Sequence, residues 1–361
     1  MKKIKIGIIG TGVGIRTHLN GFRLFQEADV TAICGSSLSR SHEFATKYNI
    51  LNAYENYKEL CDDLEIDLVC ITSPNRFHYD AVKYAISKNK HIICEKPLSD
   101  NIDEINSLIY NTENYSKIAI IDHQLRFNPY IKKIKEIINN GDLGIIYSVR
   151  LNQQGNGFAN ADAPWTWSFD GNEGGVRLAM ASHFTDLIQY WFGNLQILDI
   201  NGYMNPVTKE RKDNNGYLNI VTASTICTAH INFENELNVI YTINAGSYLG
   251  SRFEINIFGN KGELYFSLQD KISLYLRTKI GEKQNVPVDG VYTDEVENNV
   301  SIFSSSFRYF VPFILKAIQT NDFSFIDNAA NFKDAQYNVQ LLDAIKQSAN
   351  NYAGKVLNQY V

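Results

Sequence analysis

Over its first 122 residues the chain repeats one phrase, a short apolar run followed by a helical pattern. IKIGIIG leads into a helix through Phe25, DVTAICG into SRSHEFATKYN, DLVCITS into HYDAVKYAISKN, HIIC into IDEINSLIYNT, and KIAIID closes the series. Strands joined through helices run parallel, because a parallel pair needs a long crossover, and their unbroken apolar character suits burial on both faces. A doubly wound α/β domain is predicted for residues 1–122. From about residue 145 the texture changes to longer alternating runs, IIYSVRLNQQ, NIVTASTICTAHINF, LNVIYTINAGS, FEINIFG, GELYFSL and KISLYL, with hairpin-like links at FENEL and GNKG. These predict a large, mostly antiparallel open sheet in a second, α+β domain over 123–361. Helices are expected from Gly175 to Phe192 and, after a polar stretch near Asn298, over FSSSFRYFVPFILKAIQ and about 328–352, the last expected to pack back on the first domain.

A length of 361 residues fits two domains better than one core. With 34 basic and 39 acidic residues the net charge is −5, and no Lys/Arg stripe suits a phosphate backbone, so nucleic acid is not an expected partner. MKKIKIGIIGTGVG imitates a secretory signal, but glycines interrupt it and no cleavage site follows, so it reads as a first strand. No run approaches the roughly 18 apolar residues of a membrane helix. The five cysteines, Cys34, Cys61, Cys70, Cys94 and Cys227, show neither CxxC pairing nor zinc spacing, which fits a reducing, cytoplasmic compartment. His42, His91, His123 and His230 show no ligand spacing, and no metal is expected.

Gly10-Thr11-Gly12, with Gly14, follows the first strand and opens a helix. There glycines let a phosphate approach the backbone at a helix N-terminus, although the third fingerprint position is Ile15 and a bare GxG also serves ordinary strand-to-helix turns. No acidic residue ends the second strand to receive a ribose hydroxyl. Ser36, Ser37 and Arg40 stand there instead, a set able to hold a 2′-phosphate, which tilts the expectation from NAD to NADP; Arg40 could equally be a solvated helix residue. Thr72-Ser73-Pro74-Asn75 leaves the next strand on the ligand-bearing edge, as a turn, a binding element or both. Glu95-Lys96-Pro97 then leaves HIIC on that same edge. Two charges there face a crevice; an ammonium beside a nicotinamide can exchange protons with a reacting hydroxyl, while a turn lysine elsewhere usually makes a surface ion pair. Pro97 fixes the turn direction, through a cis bond if one forms.

Five stretches together resemble the family of glucose-fructose oxidoreductase, inositol dehydrogenase and the MocA proteins: Gly10-Thr11-Gly12 with His18, Thr72 to Asn75 with His78, Glu95-Lys96-Pro97, HQLRFNP at 123–129, and GGVRLAMASHFTDL at 174–187. They arrive in family order at family spacing across nearly the whole chain. The resemblance implies a nicotinamide-dependent oxidoreductase, with Gln124 among its cofactor contacts. It implies a Rossmann domain and an open-sheet domain that often serves oligomerisation, here as a homodimer or homotetramer. It also implies that Lys96 is catalytic and that the helix carrying His183 faces the nicotinamide. One departure stands out: the Asp that many members carry four residues before the histidine is Ala179 here. On one α-helical face that leaves a methyl group where a carboxylate would orient the imidazole. Asp186 could brace the ring instead, or serve in packing.

The expected chemistry is hydride transfer between the nicotinamide and a carbinol carbon of a sugar, cyclitol or related polyol. His183 exchanges the proton and Lys96 polarises the oxygen. Arg126 and Asn128 are candidates to bond substrate hydroxyls or to bridge structure, and Trp165 and Trp167 to line a sugar site or fill a core. A redox-neutral glycoside hydrolase using bound NAD and a non-catalytic nicotinamide-binding sensor or scaffold remain alternatives.

Overall fold

A computed structural model of the chain describes residues 3–249, 251–268, 272–278, 281–292 and 302–355. The chain forms two compact units, residues 1–131 with 297–339, and residues 132–296 with 340–361.

The first unit is built on six strands, β1 (Ile4–Ile9), β2 (Ala28–Cys34), β3 (Asn52–Tyr54), β4 (Leu68–Ile71), β5 (His91–Cys94) and β6 (Ala119–Ile121), all parallel in the order β3-β2-β1-β4-β5-β6. This is the expected doubly wound sheet, with the chain reversing its direction of growth between β1 and β4. Two elements were not anticipated, the three-residue β3 and the helix Tyr57–Asp62 before β4. Side-chain caps start the crossover helices: Ser37 accepts from the Arg40 amide, Asn56 from Lys58 and Glu59, and Asn101 from Asp103 and Glu104. β4 and β5 are buried at every residue, as strands covered on both faces must be. One face packs on Leu19, Phe22 and the late helix Ile302–Thr320, through Phe307, Phe310, Val311 and Ile314; the other packs on Ala81, Val82, Ile105 and Leu108.

The second unit carries β7 (Ile146–Gln154), β8 (Ile197–Asn205), β9 (Glu210–Lys212), β10 (Leu218–Ile220), β11 (Ile226–Phe233), β12 (Asn238–Asn244), β13 (Arg252–Gly259), β14 (Gly262–Leu268), β15 (Ile272–Thr278) and β16 (Gln284–Asn285). Eight of them form a sheet in the order β16-β15-β14-β13-β7-β12-β11-β8, antiparallel except where β12 meets β7. Buried and open residues alternate along β11 and β13, so one face is packed and one open. The helix Ser182–Phe192 belongs to this unit, and its Phe184 ring meets Tyr241 and Phe253 at 5.7 and 5.8 Å between centroids. β9 and β10 form a separate small hairpin. Lys271, expected to open the KISLYL strand, and the polar stretch at Asn298 lie outside the described residues.

Candidate active site

At the carboxyl edge of the six-stranded sheet the ladder runs one step past four strands. The amide of Gly10 donates to Cys34 O at 2.8 Å, Thr72 to Ile9 O at 2.8 Å, Glu95 to Ile71 O at 2.8 Å and Asp122 to Cys94 O at 2.7 Å. Ladder bonding thus aligns Gly10, Thr72, Glu95 and Asp122 in a row on the edge where ligands bind in such sheets.

Gly10 has φ +113°, and a Cβ there would stand 2.5 Å from Thr72 O, so the turn admits only glycine. A Cβ on Gly12 would meet nothing within 4 Å, which leaves the backbone of the turn open to a phosphate. The donor set and the open backbone therefore fit a dinucleotide. Thr72 Oγ1 donates to Ile9 O at 2.8 Å, tying the Thr72 turn to the glycine turn. After Thr11 and Gly12 the chain winds as a π-helical segment, Gly14–Leu19, a form that recurs at functional sites. Ile15, the departure from the glycine fingerprint, is buried in the core beside Ile6 and Leu19.

Ser37 spends its hydroxyl capping its own helix, and Arg40 lies 3.7 Å from Glu43 with its guanidinium over the Phe44 ring. Ser36 stands beside them, exposed. Pro74 precedes a 3-10 turn, Asn75–Phe77, that leads into the helix His78–Ser87. His78 ties the two turns together, its Nδ1 lying 2.8 Å from Pro97 O and its Nε2 2.8 Å from Ser73 O. Burial draws its pKa below the usual histidine value and outweighs the two carbonyls, which favour a second ring proton.

The Lys96-Pro97 bond is cis. Lys96 keeps part of its surface open to solvent while densely surrounded. That surrounding lowers its pKa from the ordinary lysine value, against the raising charges of Glu95 and Asp122. Behind it, His18, fully buried at the end of the π-helical segment, places Nε2 3.0 Å from Asp122 Oδ2 and 3.3 Å from Glu95 Oε1. Burial alone would push the imidazole down, but its hydrogen bonds to Asp122, Cys70 and Glu95 hold it well above the usual histidine range. Glu95 is lowered, since the bonded imidazole overcomes the burial that would raise it, with its charge, Lys96 and His78 adding. Asp122 is raised to about 6 by burial and by the Glu95 charge, against the His18 bond. These three residues also offer one ligand atom each within 4.8 Å of one another, the geometry a cation could use.

The sequence gives His18 no role of its own and does not single out Asp122, although an acidic residue ending β6 sits where Glu95 ends β5. Three residues of the HQLRFNP stretch are bonded within the first unit. Gln124 donates to Phe303 O at 3.0 Å, Arg126 to Asp334 Oδ2 at 3.2 Å, and Asn128 to Ser306 Oγ at 3.0 Å.

In the second unit His183 and Asp186 are both buried on the helix Ser182–Phe192. The residues just before them, Arg177–Ala181, are π-helical. This corrects the α-helical stacking expected for Ala179 and His183, because i→i+5 bonding spends an extra residue per turn and shifts the face on which Ala179 falls. Trp165 is half-buried, its amide donating to Lys212 O at 2.7 Å and its indole to Ile220 O at 3.3 Å, while Trp167 is exposed. Arg211, also missed, pins the same loop from β9 by donating to Asn160 O, Ala161 O and Ala163 O at 2.6 to 3.0 Å.

Residues 4–123 match the Gfo/Idh/MocA description "Oxidoreductase family, NAD-binding Rossmann fold", and residues 135–356 match "Oxidoreductase family, C-terminal alpha/beta domain". An oxidoreductase of Synechocystis is 28% identical over 72% of this chain and 71% of its own length. Myo-inositol 2-dehydrogenase of Thermotoga maritima is 28% identical over 53% and 55%, and glucose-6-phosphate 3-dehydrogenase of Bacillus subtilis 27% identical over 58% and 60%. Among solved structures, levoglucosan dehydrogenase in complex with NADH and levoglucosan shares the fold with a TM-score of 0.83 at 19% identity, covering 97% of this chain and 98% of that one. No helix among the described residues is long and apolar enough to cross a membrane.

Proposed function

Since the chain belongs to the Gfo/Idh/MocA oxidoreductase family, we propose that it moves a hydride between a nicotinamide cofactor and a carbinol or keto carbon of a sugar, cyclitol or related polyol. The activities of the named relatives, on inositol and on glucose 6-phosphate, support that substrate class. The single observation that carries the reading is Lys96, with a lowered pKa, at the exit of β5 on the edge that also bears the glycine turn.

Gly10, Thr11, Gly12 and Gly14 and the turn from Thr72 to Asn75 bind the dinucleotide, with Glu95, Pro97 and the His78 clamp shaping the adjoining wall. When bound, the nicotinamide takes up the hydride in oxidation and returns it in reduction. Lys96 donates a hydrogen bond to the reacting oxygen and stabilises the negative charge that grows there as the hydroxyl proton leaves in oxidation, or as a hydride reaches the carbonyl carbon in reduction. His183 takes the hydroxyl proton in oxidation and gives it back in reduction, with Asp186 assigned to the same proton path. Trp165 and Trp167 present apolar faces for a sugar ring. Ser36, Ser37 and Arg40 are assigned to the ribose 2′ position, with a lean towards NADP.

Lys96→Ala should lower kcat by about 100- to 10,000-fold with NADH binding nearly unchanged, measured by steady-state turnover and cofactor fluorescence. Full activity in the variant removes Lys96 from the mechanism. Net appearance of reduced nicotinamide in step with substrate loss supports a dehydrogenase. Glycoside hydrolysis without it supports the redox-neutral alternative.

A further inference from the structure

Residues 158–163, which lead up to Trp165, read FANADA, and their three alanines offer no side-chain donor or acceptor to fix the loop. Their carbonyls turn instead onto one cation. Arg211 Nη1 donates to Asn160 O at 2.6 Å and to Ala161 O and Ala163 O at 3.0 Å, and Nη2 donates to Phe158 O at 3.2 Å. The guanidinium carbon also stands 4.2 Å from the centroid of the Phe169 ring, which meets Phe158 at 5.1 Å and 66°. Trp165 and Trp167 fall between these two points of grip. Arg211 is the one buried residue of β9, between exposed Glu210 and Lys212. A planar fork of fixed donors aligns several carbonyls at once and can still lie on an aromatic face.

The hairpin that carries Arg211 holds the tryptophan as well. Lys212 O accepts the Trp165 amide at 2.7 Å, and Ile220 O, on β10, accepts its indole at 3.3 Å. Just beyond β10, Thr222 and Ala223 donate their amides to Phe169 O at 3.1 and 3.0 Å. Two paired strands of three residues each are marginal by themselves. Hairpin and loop therefore order one another, and Arg211 is the joint between them.

Resting on the assignment of Trp165 and Trp167 to the sugar ring, we propose that Arg211 is a positioning residue for the substrate, setting the pose of those two side chains through the loop that bears them. Being buried, it acts through the tryptophans rather than on the sugar. An apolar stacking face holds ground state and transition state alike, so disturbing its pose raises KM and spares kcat. Lysine in place of Arg211 keeps the charge but brings three donors on a flexible stem and no plane to lay on Phe169, so it cannot restore the arrangement.

The test uses full-length Arg211→Lys and reads the loop and the reaction separately. Amide hydrogen exchange in peptides covering 156–169 should quicken about tenfold or more, while peptides of the six-stranded sheet keep their rates. On a panel of cyclitols and aldoses that includes myo-inositol and glucose 6-phosphate, KM should rise about tenfold with kcat within about threefold and NADH binding unchanged. The same substitution is then made in protein that lacks both rings, Trp165→Ala with Trp167→Ala. If Arg211 acts through them, it now changes KM by no more than about twofold; a role confined to folding would change KM in neither background, and a direct contact with the sugar would change it equally in both. Unchanged exchange in the loop, an unchanged KM, or equal effects in the two backgrounds each overturn the proposal. Failure of the functional reading shows differently, as no turnover of any panel member by the unsubstituted protein, and exchange alone then decides whether Arg211 orders the loop.

Discussion

His91 shows at the scale of one residue how burial sets a pH dependence. It opens β5, and its Nδ1 accepts the Ile118 amide at 3.1 Å, so the ring is neutral with its proton on Nε2. Burial, helped by the Lys117 charge, pushes its pKa down to about 4, whereas an unfolded histidine titrates near 6.5. Between those values the unfolded chain binds a proton that the folded chain refuses. Stability is therefore unaffected above about pH 6.5, falls as the pH drops, and has lost up to about 3 kcal/mol once the pH is below about 4. Urea unfolding at pH 7 and pH 5 should show a smaller pH penalty for His91→Asn, whose amide oxygen can still accept from Ile118. Identical penalties would mean that His91 is not held neutral. The residues of the candidate site were legible to different degrees for the same physical reason. Glu95 and Lys96 announce themselves because two charges leaving an apolar strand have no place in a core. Asp122 ends its strand as a lone acid, a common way for strands to end, and the contact that gives it meaning, with His18, spans more than a hundred residues of chain.

At the scale of elements, the helix Ile302–Thr320 was visible and its partner was not. Its apolar stripe shows that one face must be buried, but a stripe carries no address for the surface that covers it. The structure places it against the six-stranded sheet, with Phe310 stacked on Phe127 at 4.0 Å and 17° and Phe307 edge-on to Phe22 at 5.3 Å. Phe310→Ala should cost about 3 to 5 kcal/mol, seen as a lower denaturant midpoint with unchanged slope, because a fully enclosed ring leaves a cavity that neighbours only partly fill. A loss below about 1 kcal/mol would mean the helix is not part of this core. The π-helical segments Gly14–Leu19 and Arg177–Ala181 were illegible for another reason. A single wide turn adds one residue to a helix without altering its composition, so i,i+4 reasoning across Ala179 and His183 used the wrong pitch. β3, three residues with no fully buried position, is held by pairing with β2 rather than by its own apolar pattern.

Across the whole molecule, cofactor choice can be read from stability, because a ligand that binds only the folded chain shifts unfolding by mass action. Arg40 is engaged by Glu43 at 3.7 Å and by the Phe44 face, both at the surface. An exposed ion pair of this kind contributes at most about 1 kcal/mol, less than a guanidinium gains from a phosphate dianion, so it does not hold Arg40 away from a 2′-phosphate. Either reduced nicotinamide at about a hundred times its Kd should stabilise the protein by about 2.7 kcal/mol, raising Tm by roughly 3 to 5 °C. At equal subsaturating concentrations NADPH should protect more than NADH, and Arg40→Ala should erase the difference while leaving protection by NADH intact. Protection by NADH equal to or greater than that by NADPH in the unsubstituted protein would remove Arg40 from the ribose site. Ser36 and Ser37 would then be left to face a free 2′-hydroxyl.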